Sequence, residues 1–186
     1  MKLVVGLGNP GPQYLTTRHN AGFLLLDYLQ DYYKIPPFKA KFQGGVSLGE
    51  IESQEVVFLK PLTFMNLSGQ SVQMAAHFYK ILPQNIFVCH DEIDISFGAV
   101  KVKQGGGNGG HKGLKSIEAS LGTQEFWRLR LGVGRPSSSQ DATQHVLANF
   151  SKHEQEELSS LYDKISCFFP LFLKEKPQEF IEKIGV

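Results

Sequence analysis

The chain is poor in several things. Its 186 residues hold two cysteines and one tryptophan, and its net charge is only +1. Cys89 and Cys167 stand alone in apolar surroundings with no paired spacing, which argues against a disulfide framework and for a reduced, cytoplasmic protein. No stretch approaches the ~20 apolar residues of a membrane span, so no membrane partner is expected. The apolar run Leu3-Val4-Val5 meets Gly6 too soon to be the core of a secretory signal. No internal repeat or low-complexity segment is visible.

What is present is ordinary in amount and uneven in place. The composition, 41% hydrophobic and 20% charged, suits one globular domain long enough to bury a sizeable core. Residues 98–135 carry Lys101, Lys103, Lys112, Lys115, Arg128, Arg130 and Arg135 against Glu118 and Glu125, while residues 150–183 carry seven acids against five bases. A basic middle in a nearly neutral chain hints at a phosphate-bearing partner, although solvated charged faces are common.

Periodicity predicts a strand over Lys2–Leu7, then a Pro/Gly loop, then a helix from Thr16 or Thr17 to about Tyr33, stopped by Pro36-Pro37. Phe42–Glu52 and Glu55–Lys60 read as an antiparallel hairpin turning at Glu52–Gln54. A helix from Ser68 to about Lys80, strands at Ile86–Cys89, Val100–Lys103 and Phe126–Val133, and a helix ending near Leu121 complete the body. The tail from Ser151 reads as helical, broken near Pro170 and Pro177. The expected fold is α/β: a single domain over residues 1–186, with a twisted mixed, partly parallel sheet surrounded by helices and a C-terminal helical lid or tail at 151–186.

Three glycine motifs invite a function and fail on context. Gly6, Gly8 and Gly11 fit the spacing of a dinucleotide-binding turn, which needs a helix to begin at the second glycine. Pro10 and Pro12 follow instead, removing N–H donors that a pyrophosphate would want, and the next strand belongs to a hairpin. Gly45–Gly49 matches a nucleophile elbow around Ser47, but a second strand follows where the elbow needs a helix. "GGGNGGHKG" at 105–113 lacks both the glycine before the lysine and the hydroxyl after it that a P-loop requires, leaving a flexible loop that feeds a helix N-terminus.

The strand ends are more informative. Ligands gather beyond the carboxyl ends of strands in α/β sheets. Those ends carry Asn9, Asn66, His90-Asp91-Glu92 and Arg135, with His19 and His111 at helix starts nearby. A histidine, a carboxylate and two carboxamides suit acyl or ester chemistry. Each residue also has a plainer reading: His19 facing solvent, Asn9 turning the chain, Asn66 capping a helix, Asp91 pairing with a lysine. His90, Asp91, Glu92 and Asp94 lack a recognisable metal-ligand spacing. His77, His145 and His153 read as structural or surface residues.

Six segments, "GLGNPG" (6–11), "TRHNAG" (17–22), "TFMNLSG" (63–69), "HDEID" (90–94), "GGGNGGHKGL" (105–114) and "RLRLGVGRP" (128–136), occur in order and together resemble the bacterial peptidyl-tRNA hydrolase family. The resemblance covers Met1 to about Phe150 and continues in type through the tail. It implies a monomeric esterase that cuts the ester between a peptide and the terminal ribose of tRNA, with no metal or organic cofactor. The rivals are a non-catalytic tRNA- or RNA-binding module and a general small-ester hydrolase.

By the same resemblance, His19 is the general base acting on water and Asp91 orients it. Asn9 distinguishes blocked from free aminoacyl ends, and Asn66 holds the substrate near its scissile carbonyl. Tyr14 and Phe64 line the terminal nucleotide site, Met65 adds an apolar contact, and His111 and Lys112 bind substrate. Lys103 and Arg130 meet tRNA phosphate. Strand alternation separately places Lys101 with Lys103, and Arg128 with Arg130, on one face of each strand. Lys112 departs from the family's usual asparagine. Lysine has no acceptor and a full charge, so it either binds phosphate or ribose there or turns away.

Overall fold

The computed structural model describes residues 1–137 and 140–186. Its seven strands are β1 (Lys2–Gly6), β2 (Lys39–Lys41), β3 (Gly44–Ile51), β4 (Gln54–Pro61), β5 (Ile86–Glu92), β6 (Val100–Gln104) and β7 (Trp127–Gly132). They form one sheet in the order β2-β3-β4-β1-β5-β7-β6. β1 lies parallel to β4 and β5, and β5 lies parallel to β7. The β2-β3-β4 meander and β6 are antiparallel to their neighbours. This is the expected mixed α/β sheet. Both edge strands are lysine-bearing: Lys39 and Lys41 on β2, Lys101 and Lys103 on β6.

Strand alternation divides the core. Val4 points into a cluster built with α1 (Ala21–Tyr32), α5 (Lys152–Leu173) and α6 (Pro177–Ile184), through Leu25, Leu29, Ile165, Phe172 and Phe180. Leu3 and Val5 point the other way, into Val72 and Ala75 of α2 (Ser68–Tyr79) and Leu114 and Ile117 of α3 (Lys112–Leu121). Two helical layers thus cover one sheet, and the parallel strands β1, β4 and β5 discharge their carboxyl ends at one edge. Among the described residues no helix is long and apolar enough to cross a membrane.

Glycines at the end of β1 and the start of α1 serve packing. A Cβ on Gly22 would lie 2.3 Å from the Cys89 carbonyl oxygen and 2.5 Å from the Leu7 nitrogen, and one on Gly6 would lie 2.4 Å from the Gly22 carbonyl oxygen. Their bare backbones let α1 start against the ends of β1 and β5.

Several elements differ from the sequence expectation: the edge strand β2 was not anticipated, and α1 begins at Ala21, after a 3₁₀ turn at Arg18–Asn20. Strand β5 runs on to Glu92, so His90 and Asp91 sit inside it and not beyond it. A short helix α4 (Ala142–Leu147), N-capped by Asp141 accepting from the Gln144 N–H, was not anticipated. The expected break at Pro170 is absent, because α5 continues to Leu173 and the interruption falls at Lys174–Lys176. Proline removes the N–H that would bond to the Ser166 carbonyl. The Tyr33 hydroxyl donates to that carbonyl instead, so no orphan remains to open the helix. The tail lies on the α1 face of the sheet, and α4 stands beside the cleft.

Candidate active site

A cavity of about 610 Å³ opens at the carboxyl ends of β1, β4 and β5. Asn9, His19, Phe64, Met65, Asn66, Asp91, His111 and Lys112 line it together. Tyr14, Lys103 and Arg130 are not among its lining residues. The cavity also takes in Glu92, Ile93, Gly109 and Gly110, and an apolar wall from Val146 and Leu147 of α4. Sequence reasoning missed that wall because a six-residue helix offers too short a period to read.

Asp91 is the centre of the polar array. It is 2% exposed, and three contacts reach its carboxylate. His19 Nδ1 lies 2.9 and 3.0 Å from its two oxygens, and His111 Nε2 lies 2.8 Å from Oδ1. His19 is the middle residue of a one-turn 3₁₀ segment, Arg18–Asn20, that delivers its ring from the first loop onto the end of β5. With Nδ1–H donating to Asp91, the remaining nitrogen, Nε2, is left as the basic end.

The tautomer of His111 is set by its own helix. It is the N-cap residue of α3, and its Nδ1 accepts from the Gly113 and Leu114 N–H groups at 3.1 and 3.3 Å. An Nδ1 that accepts leaves the neutral ring's proton on Nε2, where it donates to Asp91. His111 therefore braces the carboxylate, a part the sequence reading did not assign to it. The same tautomer bears on metal binding. His19, Asp91 and His111 could bring three ligand atoms within 4.8 Å of one another. The His111 atom facing that point already carries a proton, so this donor set fits a hydrogen-bonded array better than a cation.

Burial alone would lower the His19 pKa and raise that of Asp91. Their mutual charge and hydrogen bonds, with His111 adding to Asp91, reverse both. His19 ends above the ordinary 6.5 and Asp91 well below the ordinary carboxylate value. The positive charge of Lys112 pulls His19 back down. Next door, His90 is fully buried and its pKa falls to about 3, chiefly through desolvation and then the charge of His111. Its Nδ1–H donates to the Asp91 carbonyl at 2.7 Å, while its Nε2 has no partner.

The carboxamides are held differently. Asn9 is clamped by Asn20, whose Oδ1 accepts from the Asn9 N–H at 2.8 Å and whose Nδ2 donates to the Asn9 carbonyl at 3.0 Å. Asn9 Oδ1 accepts from the Met65 N–H at 2.8 Å, which leaves the NH₂ as the polar end free for the cavity. Asn20 was legible only as part of a motif, since its work is on backbone. Asn66 is exposed on the 3₁₀ turn Met65–Leu67 and makes no helix-capping bond. Just before it Phe64 holds φ 66 and ψ 155, a region natural to glycine, with its ring half exposed at the cavity rim.

The basic residues of β6 and β7 lie on one face, because Lys101 pairs with Arg130 and Lys103 with Arg128 across the strands. They are not equivalent. Arg130 donates from Nε and an NH₂ group to Glu92 at 3.1 and 2.9 Å, and Arg128 is 1% exposed. Arg128 shares the face with Arg130 as expected, but the glycine loop covers it.

An imidazole oriented by a buried carboxylate, with carboxamides at the strand ends of an α/β sheet, is equipment for hydrolysing an acyl bond. Comparison with known proteins is specific. A family model described as "Peptidyl-tRNA hydrolase" matches residues 3–185. A peptidyl-tRNA hydrolase of Desulfitobacterium hafniense is 49% identical over 175 residues, covering 94% of each chain. One of Rhodospirillum rubrum is 48% identical over 185 residues, spanning all of this chain and 76% of that one. The crystal structure of the Acinetobacter baumannii peptidyl-tRNA hydrolase superposes with a TM-score of 0.91 at 39% identity, covering 99% of this chain and 94% of that one. The chain belongs to the peptidyl-tRNA hydrolase family.

Proposed function

We propose that the protein hydrolyses the ester between a peptidyl, or N-blocked aminoacyl, group and the terminal ribose of tRNA. The observation that carries this reading is the His19–Asp91 contact at 2.9 Å inside a cavity at the strand ends. His19 Nε2 takes a proton from water, which attacks the ester carbonyl. Asp91 keeps the proton on Nδ1 and stabilises the imidazolium that forms. The leaving ribose alkoxide is a better leaving group than an amine, so no covalent acyl-enzyme is required. The amide ends of Asn9 and Asn66 supply donors for the ester oxygen as charge builds on it.

Phe64, Met65 and the α4 wall receive the apolar parts of the substrate, and Tyr14, which does not line the cavity, offers its ring to the terminal nucleotide. Lys103 and Arg130 meet phosphate on the β6–β7 face, with Arg130 exchanging its Glu92 partner for the RNA. The protein works as a monomer in the cytoplasm, as one domain over 1–186 with a helical tail, and without metal or organic cofactor.

The test is hydrolysis of an N-acetylated aminoacyl-tRNA in the presence of a chelator. Wild type is expected to turn over and His19→Ala to lose about 10²–10⁴-fold in kcat. Equal cleavage by both would remove the assigned base. Binding without turnover by wild type would favour the RNA-binding module.

A further inference from the structure

The guanidinium of Arg128 is buried, yet no step above uses it. It donates to the Gly107 carbonyl at 2.5 Å, to the Gly106 carbonyl at 2.8 Å, to the Gln124 carbonyl at 3.4 Å and to Glu118 Oε1 at 3.1 Å. Its plane lies 4.5 Å over the Phe126 ring. The glycine loop is therefore not loose. Its carbonyls turn inward onto a fixed cation, with Gly105 and Gly106 at φ 69 and 85. Side chains there would also collide: a Cβ on Gly105 would sit 2.8 Å from Glu125 Oε1, and one on Gly106 2.9 Å from the Lys103 side chain.

The contacts continue toward the cleft. Glu118 Oε2 accepts from Asn108 Nδ2 at 2.9 Å. Asn108 Oδ1 accepts from the Gly110 N–H at 2.9 Å, and the Asn108 carbonyl accepts from the His111 N–H at 3.0 Å. Gly110 lines the cavity, and His111 donates to Asp91, which holds His19. An unbroken run of hydrogen bonds links a buried ion pair outside the cavity to the base inside it.

We propose that Arg128, Glu118 and Asn108 are positioning residues: they fix the glycine loop so that His111 is held on Asp91 and Gly109–Gly110 close one wall of the cleft. The proposal rests on His19 acting as the base. When His111 is held, its Nε2–H draws part of the Asp91 charge to itself. When it is not, that charge falls more fully on His19 and the imidazolium is favoured. The titratable groups facing His19 are Asp91 from β5, the His111 ring at the α3 cap and Lys112 on α3. Glu92 is already engaged by Arg130. Loosening the loop changes the first of these through the second.

The experiment compares wild type, Asn108→Ala, Glu118→Gln and Arg128→Lys. Melting is followed beside the pH dependence of kcat/KM for an N-acetylated aminoacyl-tRNA, with ¹⁵N spectra of the histidine rings alongside. Asn108→Ala keeps the buried ion pair, so its melting temperature should move little. Its acid limb should shift to higher pH, its KM should rise several-fold, and the His111 ring should lose its single tautomer. Arg128→Lys keeps the charge but not the paired carbonyl contacts, and should show the same shift with a lower melting temperature. An Asn108→Ala enzyme with unchanged pH profile, KM and His111 spectrum would overturn the proposal and leave Arg128 a purely structural clamp. If His19→Ala retains turnover, the reading of the base has failed instead, and the ¹⁵N spectra still report whether the loop holds His111.

Discussion

At the scale of single residues, the chemistry is a contest over one proton. As the proposed base, His19 must be unprotonated to accept from water, and Asp91 raises its pKa while Lys112 lowers it. The acid limb of kcat/KM should therefore inflect above pH 6.5. Asp91→Asn removes the charge that favours imidazolium, so the inflection should fall and kcat should drop by roughly 10²-fold or more. Lys112→Asn removes the opposing charge, so the inflection should rise while turnover survives. A pH–rate series on the three enzymes checks both directions. The position and pairing of His19 and Asp91 were legible because the segments at 17–22 and 90–94 carry the family resemblance. The tautomer of His111, the commitment of Asn9 Oδ1 to backbone and the burial of Arg128 were not. The tautomer depends on a helix-cap geometry that no period encodes, and the other two depend on partners 21 to 56 residues away.

At the scale of elements, the helices and long strands fell where periodicity put them, and the misreadings cluster at short or compensated segments. The β3–β4 hairpin turns on Glu52 and Ser53, both at positive φ, without the glycine that such two-residue turns favour. Helix α5 survives its proline because Tyr33 answers the freed Ser166 carbonyl. Tyr33→Phe should cost about 1–2 kcal/mol, as a part-buried carbonyl loses its donor. Gly22→Ala should cost more, about 1–3 kcal/mol, because the added methyl meets backbone that cannot yield. Urea unfolding of the two variants measures both costs. A sequence marks proline plainly, but the hydroxyl that neutralises its effect comes from the residue that caps α1.

At the scale of the whole molecule, the buried histidines and aspartate give stability a pH dependence. His90 stays neutral in the fold down to about pH 3, whereas the unfolded chain takes up its proton near 6.5. Folding thus loses free energy as pH falls below 6.5, on the order of a few kcal/mol by pH 4. The depressed Asp91 adds to the loss below its ordinary value of 3.8. His19, with a raised pKa, acts the other way: its contribution is full below 6.5 and disappears as pH climbs through its folded value. Together these place the maximum near pH 6–7. Denaturant unfolding across pH should show it, and His90→Asn should flatten the acid side.

The basic face predicts a second global property. Apparent affinity for the tRNA substrate should fall with salt, and Lys103→Ala or Arg130→Ala should each reduce the slope of log K against log salt by about one. Activity on a small N-acyl ester would stay nearly salt-independent. The mixed sheet and its covering helices were readable from the alternation of strand and helix patterns. The order β2-β3-β4-β1-β5-β7-β6 was not, since strand neighbours are chosen by the whole chain.

The two rims of that sheet each end in a strand that alternates lysine with a small or aliphatic residue. Open strand edges template self-association, and ammonium groups along them repel a second copy. On the β6 side, under the proposed function, the charge that would repel a second copy is the same charge that would attract a polyanion. Neutralising Lys101 and Lys103 would therefore weaken RNA capture and uncover a sticky border in the same stroke.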